Sequence, residues 1–240
     1  MTGLGTLANT GAILAGGLVG MLCGKAVPPR FQQTIMAGMA VATMFVGISG
    51  TLKEMLRAGA DGGLHSQGAF MMVMCLATGA VLGELLDLDG LMERFGGWIR
   101  RVTRNERDDS FINAFVTASL TFCIGAMAIF GSIEDGLKGD PSTLYLKAVM
   151  DGVFTVALVA AIGRGAVFSA IPIFLYQGAI TLAARHLEPV FTPAALSNLS
   201  LVGNVLIFCV GWNIIHGGKQ IRVANLLPSL AVAVAWAFLA

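Results

Sequence analysis

The sequence predicts an all-α integral membrane protein with about eight transmembrane helices. Three observations carry this reading. Apolar residues make up 56% of 240 positions, with a mean hydropathy of +0.79. Charged residues make up only 12%, roughly half the share of about 25% usual in soluble domains. Those few charges also fall in clusters that separate long apolar runs. A soluble fold of this length needs a charged surface, and the residues to build one are missing. The net charge of +1 excludes a nucleic-acid binder, which needs a surplus of Lys and Arg against phosphate.

A membrane-spanning helix takes about 20 apolar residues, because the hydrocarbon core is roughly 30 Å thick and each residue rises about 1.5 Å. Runs of this kind lie at 4–24, 33–52, 68–86, 111–131, 142–162, 166–184, 196–215 and 222–240. Spanning strands are a poor alternative, since the runs are too long and do not alternate. The first run has no basic residue before it and Lys25 after it, which predicts a retained anchor and not a cleaved signal peptide.

Between the third and fourth runs, residues 87–110 form a charged connector with Arg94, Arg100, Arg101, Arg104 and Arg107. Leu88, Leu91, Met92, Phe95, Trp98 and Ile99 recur there at helical spacing. Two readings stand: a helix lying along the membrane surface, or a solvated loop helix. With the N-terminus outside, ten Lys and Arg fall on the inner side and five on the outer. That asymmetry places both termini outside.

A weak repeat runs through the chain. Thr10-Gly11-Ala12-Ile13 in the first run resembles Gln177-Gly178-Ala179-Ile180 in the sixth. Each is followed by proline near a membrane edge, Pro28 and Pro29 or Pro193, then by a glycine-punctuated run, with Gly38 and Gly47 or Gly203 and Gly211. An offset of five crossings inverts the second copy, as in many secondary transporters; a duplication kept for packing is the alternative. The organisation is then a single transmembrane domain: a first repeat at 4–86, the connector, central helices at 111–162 and a second repeat at 166–240. Gly16, Gly20 and Gly24 lie four apart, and Gly79 and Gly83 repeat the step. Small residues at this spacing let helices approach closely in lipid, within the chain or across a homodimer.

Polar residues inside the runs are the candidate site. Asp140-Pro141 marks a helix start, Asp capping free amides and Pro suiting the first turn. Asp151 then lies roughly 15 Å into the helix, near the bilayer midplane, where a carboxylate costs about 2.5–3.5 kcal/mol. Lys147, one turn earlier, is its expected partner; the pair couples ions or protons, or only fixes packing. Gln177 and Asn204 are placed to line the same midplane cavity, with Asn9, Asn113, Asn213 and Asn225 as further neutral amides. Glu134 and Asp135 lie between Gly131 and Gly136, a stretch expected to leave the helix as a cation site or a solvated outer loop. Pro172 and Pro228 each remove a backbone donor, which marks either a broken helix beside a cavity or an ordinary proline kink.

Other chemistry is not indicated. Cys23, Cys75, Cys123 and Cys209 all fall inside predicted helices, and His65, His186 and His216 sit at helix ends or in loops. Neither set has metal spacing, so no metal or cofactor is expected. Gly217-Gly218-Lys219-Gln220 lacks the spacing of a phosphate loop, and no zinc or serine-nucleophile motif is present. The chain is not expected to be an enzyme.

Several strings resemble the YqgA/YdfK-like family of bacterial membrane proteins. They include Gly5-Thr6-Leu7-Ala8-Asn9-Thr10, the block from Phe115 through Gly136, Gly139-Asp140-Pro141-Ser142-Thr143-Leu144, Phe168-Ser169-Ala170-Ile171-Pro172, Tyr176-Gln177-Gly178 and Val223-Ala224-Asn225-Leu226-Leu227-Pro228. The resemblance covers nearly the whole chain and is weakest from Ala58 to Arg107. It implies a multi-spanning protein of the bacterial cytoplasmic membrane and carries over no catalytic or binding residue, the family being described as a domain of unknown function. The functional expectation is a small secondary transporter, ion- or proton-coupled through Asp151, moving a small polar solute or ion, with the lipid bilayer and a second copy as partners. Gln177 and Asn204 would line its cavity, and Glu134 with Asp135 would guard an outer entrance. The alternatives are a non-transporting scaffold or partner-binding subunit, or an ion channel.

Overall fold

The computed structural model describes residues 2–24, 28–58, 63–104, 110–124, 126–217 and 220–239. Lys25, Arg107 and Lys219, which enter the charge count, lie outside them, as do the surroundings of Cys23 and Gly24. Helices α1 (Leu4–Gly24) and α2 (Pro29–Met55) are followed by a short hairpin, β1 (Leu56–Ala58) with β2 (Leu64–Ser66). The strands pair antiparallel, Leu56 opposite Ser66. Next come α3 (Ala69–Leu86), α4 (Leu88–Val102), α5 (Phe111–Cys123), α6 (Ala126–Lys138) and α7 (Ser142–Ala161). A 3₁₀ turn, Arg164–Ser169, leads into α8 (Ala170–Leu187), followed by α9 (Pro193–Ile215), α10 (Val223–Leu226) and α11 (Pro228–Trp236).

The boundaries have local causes. Asp87 alone joins α3 to α4 in a left-handed conformation (φ 45°), and its carboxylate accepts from the Gly90 amide at 3.3 Å; Asp is among the few residues that adopt this geometry readily. Asp140 accepts from the Ser142 amide at 3.0 Å and from its hydroxyl, which holds its carboxyl below the usual range. Thr192 accepts from Ala195 at 3.2 Å ahead of Pro193, a cap followed by proline at the first helical position.

Six helices among the described residues are long and apolar enough to cross a membrane, one of them combining the 3₁₀ turn with α8. The fourth expected run does not continue as one helix: α5 ends at Cys123, Ile124 is extended, and α6 departs at 59°. The eighth is likewise interrupted, Leu227 separating α10 from α11. Neither half of either pair is long enough alone to span roughly 30 Å. The chain is an all-α integral membrane protein, with large apolar side chains turned outward: Leu22, Leu85 and Leu182 are each more than three-quarters exposed.

Packing follows the small residues. A Cβ on Gly16 would strike the Gly152 carbonyl of α7, and one on Gly20 the Val156 carbonyl, so α1 and α7 run parallel at close approach. α2 and α9 run antiparallel, Gly47 and Gly50 against Asn204 and Phe208, and Gly211 against Ala40 and Met44. α3 meets the α10–α11 segment in the same way, Gly79 against Ser229 and Gly83 against the Asn225 carbonyl. Gly11 faces open space. Replacing Gly16 or Gly83 by Ala is therefore expected to cost about 1–3 kcal/mol through overpacking. Gly11→Ala should instead stabilise by about 0.5–1 kcal/mol. Denaturant unfolding of the three variants in detergent micelles checks the ranking.

Candidate functional site

Asp151 lies on the buried face of α7, 6% exposed, with Lys147 at 8% one turn before it. Lys147 Nζ donates to Asp151 Oδ2 at 2.6 Å, and Asn9 Nδ2 donates to the same oxygen at 3.0 Å. Asn9 Nδ2 also reaches Gln177 Oε1 at 3.3 Å. An ionised carboxylate only accepts, so Asn9 must turn its amide nitrogen toward it. One side chain from α1 thereby joins α7 to α8. Lys147 Nζ also stands 5.9 Å from the centre of the Phe122 ring at the end of α5, within cation–π range.

The polar contacts continue along α1 toward its N-terminus. Thr6 and Thr181 hydroxyls face each other at 3.5 Å, and the Gly5 amide donates to Asp135 Oδ2 at 3.0 Å. On the other side, Thr155 donates to the Asp151 carbonyl at 2.7 Å. Asn9, Gln177, Asp135 and Thr155 are fully buried. Asn9 Oδ1, Gln177 Nε2 and Asp135 Oδ1 have no hydrogen-bond partner among the described residues. Each is a desolvated polar atom of the kind that costs about 1–3 kcal/mol.

Other expected residues lie elsewhere. Asn204 donates to the Ser200 carbonyl at 2.7 Å and packs on Gly50 of α2, so it serves the α2–α9 contact. Asn225 accepts from the Asp89 amide at 2.8 Å and fastens the start of α4. Glu134 and Asp135 are not in a loop: α6 continues through both to Lys138. The flanking glycines pack where they were expected to break, Gly131 against Leu144 and Gly136 against the Thr181 carbonyl. Glu134 accepts from Thr143 at 2.9 Å and pairs with Lys138 at 3.5 Å, whereas Asp135 points inward. Pro172 falls in the first turn of α8, just after the 3₁₀ turn, where its missing N–H costs little. Pro228 begins α11 at a true interruption.

Thr6, Thr181, Thr155 and Phe122 escaped sequence reasoning, because hydroxyls and rings inside apolar runs are ordinary. Thr6 could have been found from its position between Gly5 and Asn9, at the start of the α1 face that meets α7. Ser119 Oγ is also buried without a partner among the described residues. It lines a largely apolar cavity of about 780 Å³ together with Cys123, Tyr176, Pro172 and Leu227. That cavity meets the end of α5, the first turn of α8 and the α10–α11 junction. A second cavity, about 520 Å³, lies among α4, α5 and the last turns of α7 and α9. A third, about 470 Å³, includes Glu54, Gln67 and Ser197. Lys147 and Asp151 line none of these three. Among the described residues, no three His, Cys, Asp or Glu side chains gather as metal ligands.

A bundle of apolar helices whose polar side chains are turned inward and paired defines a multi-spanning membrane protein. The chain belongs to the family described as Protein of unknown function (DUF554), which it matches over residues 4–238. It is 28% identical over 228 residues to "Uncharacterized membrane protein YdfK" of Bacillus subtilis (strain 168), covering 95% of this chain and 93% of the relative. It is also 28% identical over 236 residues to "Uncharacterized protein YqgA" of Escherichia coli (strain K12), covering 96% and 94%. No solved structure gives a significant match.

The ion pair has a measurable energetic signature. Lys147→Met or Asp151→Leu alone leaves one charge buried and uncompensated, with an expected loss of about 3–5 kcal/mol. The double variant should be less destabilised than either single one, because no net charge remains. A double-mutant cycle of unfolding free energies in micelles checks this; additive losses would contradict it.

Proposed function

We propose that the chain is a small secondary transporter of the bacterial cytoplasmic membrane, coupled through Asp151 to protons or ions. It moves a small polar solute or ion, works as a homodimer and keeps both termini outside. The observation that carries the reading is the Asn9–Asp151–Gln177 cluster, in which Asn9 of α1 links the carboxylate on α7 to Gln177 on α8 and two amide atoms have no partner among the described residues. Intramembrane carboxylates are expensive and mark ion or proton pathways in transporters. The interrupted helices around the 780 Å³ cavity add support, since broken helices are how such proteins build sites. The inverted repeat pairs the first run with the sixth and the second with the seventh. It is compatible with the direct antiparallel packing of α2 on α9.

A second reading has its own support. The Lys147–Asp151 pair is sealed by side chains and lines none of the three cavities, which favours a non-transporting scaffold that uses charge only to fix packing. In the transport reading the same geometry is a closed state.

Proteoliposomes with a trapped pH-sensitive dye separate the two. Ions, amino acids and carboxylates are supplied outside in turn, and proton movement is followed. The transporter predicts a solute-dependent proton flux that Asp151→Asn abolishes in protein that still folds and reconstitutes, although its unpaired Lys147 lowers the melting temperature. Flux that is unchanged in the variant, or absent from the native protein with every solute, leaves the scaffold.

A further inference from the structure

α4 presents two different faces. One is docked: Ile99 and Gly96 are buried, the Phe95 ring lies 5.8 Å from Phe115 of α5 in an edge-on contact, and Gly96 touches the same Phe115 ring. The other is bare. Leu91, Trp98 and Val102 are 57%, 52% and 62% exposed, and they follow one another at steps of seven and four, a single stripe along the helix. Arg94 and Arg101 each stand three residues after a member of that stripe, next to it on the helix surface, and both are exposed. Arg104, two residues past the end of α4, is exposed as well. The acidic residues of α4 are turned elsewhere: Asp89 is buried, and both Asp89 and Glu93 line the 520 Å³ cavity. Asp87 approaches Arg94 at a loose 3.7 Å with both side chains mostly exposed.

The position of this stripe is fixed by what precedes it. α3 is long and apolar enough to cross a membrane, its last residues, Leu82, Leu85 and Leu86, are exposed apolar side chains, and Asp87 alone separates it from α4. The apolar stripe of α4 therefore starts at the level where the lipid-facing surface of α3 ends. A helix there with an apolar stripe bordered by arginines matches the headgroup–acyl boundary. Apolar side chains enter the acyl region, while guanidinium groups meet phosphate oxygens in paired hydrogen bonds.

We propose that α4 is an interfacial helix whose bare face binds anionic phospholipid, with Leu91, Trp98 and Val102 inserted below the headgroups and Arg94 and Arg101 holding lipid phosphate. The site is independent of any transport activity, because it shares no residue with the Asn9–Asp151–Gln177 cluster. Two basic side chains on one boundary supply a preference for anionic over zwitterionic headgroups. The docked face keeps the helix in register with the bundle, so the lipid meets a preformed surface.

The experiment uses the full chain with Trp212→Phe and Trp236→Phe, leaving Trp98 as the one tryptophan. It is reconstituted in phosphatidylcholine nanodiscs containing either phosphatidylglycerol or phosphatidylcholine brominated high on the acyl chain. Trp98 fluorescence should be quenched by both lipids, more by the anionic one, and not by aqueous iodide. Arg94→Gln and Arg101→Gln should each lower the relative affinity for phosphatidylglycerol by about fivefold. Equal quenching by the two lipids overturns the headgroup assignment. Quenching by iodide and not by brominated lipid overturns the membrane assignment and leaves a water-facing surface suited to a protein partner. Trp212 and Trp236 make ring contacts, so a second measurement uses the native tryptophans. Native mass spectrometry compares the phosphatidylglycerol retained by the unmodified chain and by the Arg94→Gln/Arg101→Gln double variant. Equal retention also overturns the proposal.

Discussion

The backbone-to-backbone approach of α1 and α7 at Gly16 and Gly152 governs the rest of the molecule. Lipid tails are as apolar as leucine, so a leucine-lined seam gains little from leaving them. What holds α1 on α7 is the close fit of small residues, and this fit also sets the polar chemistry. Gly5, Asn9, Ala12, Gly16 and Gly20 follow at steps of four, three, four and four, which places them on one side of the helix. Asn9 thus sits on the face that glycine brings nearest to α7, two turns from Gly16. A larger residue at position 16 would lift α1 away and withdraw the amide from its 3.0 Å contact with Asp151.

The cluster built on that contact is economical in acceptors. Asp151 Oδ2 takes both the Lys147 ammonium and the Asn9 amide, and Asn9 spends the same nitrogen on Gln177. A proton added to Asp151 would weaken both of its donors' contacts together. Lys147 would be left with the Phe122 ring, and Asn9 with Gln177. Because Asn9 spans α1, α7 and α8, that rearrangement would not stay within one helix. Coupling between distant helices needs an element with two discrete arrangements, and this shared oxygen has the required connectivity.

Much of this was legible in the sequence, and the failures have physical reasons. The helix start at Asp140-Pro141 and the helical spacing of Lys147 to Asp151 could be read, because both depend on one helix alone. Asn9 and Gln177 stood out as amides within apolar runs, but so did Asn204 and Asn225, which the fold sends elsewhere. Depth within one helix does not fix which neighbour its side chain meets; Asn204 turns to Gly50 because α9 packs on α2. Gly131 and Gly136 were ambiguous in the same way. A glycine in a membrane helix serves either a break or a close contact, and Leu144 and Thr181 occupy the contact here. The membrane class itself was plain, since it rests on composition and run length.

The interruption between α5 and α6 was the hardest feature to read, having no proline and no fall in hydropathy, only Gly125 within an apolar run. Its importance comes from where it falls. Backbone that leaves the helix at membrane depth must be covered by protein or line a cavity. The end of α5 and the junction before α11 meet this requirement together around one cavity, which the first turn of α8 also lines. At the end of α5, neighbouring residues face opposite ways: the Phe122 ring lies against Lys147, while Cys123 lines the cavity. The last turn of α5 is thus a partition between a buried ion pair and a mostly apolar space. It stands at the end of the helix, where the Ile124 amide donates to the Leu120 carbonyl at 3.0 Å and Ile124 itself is already extended.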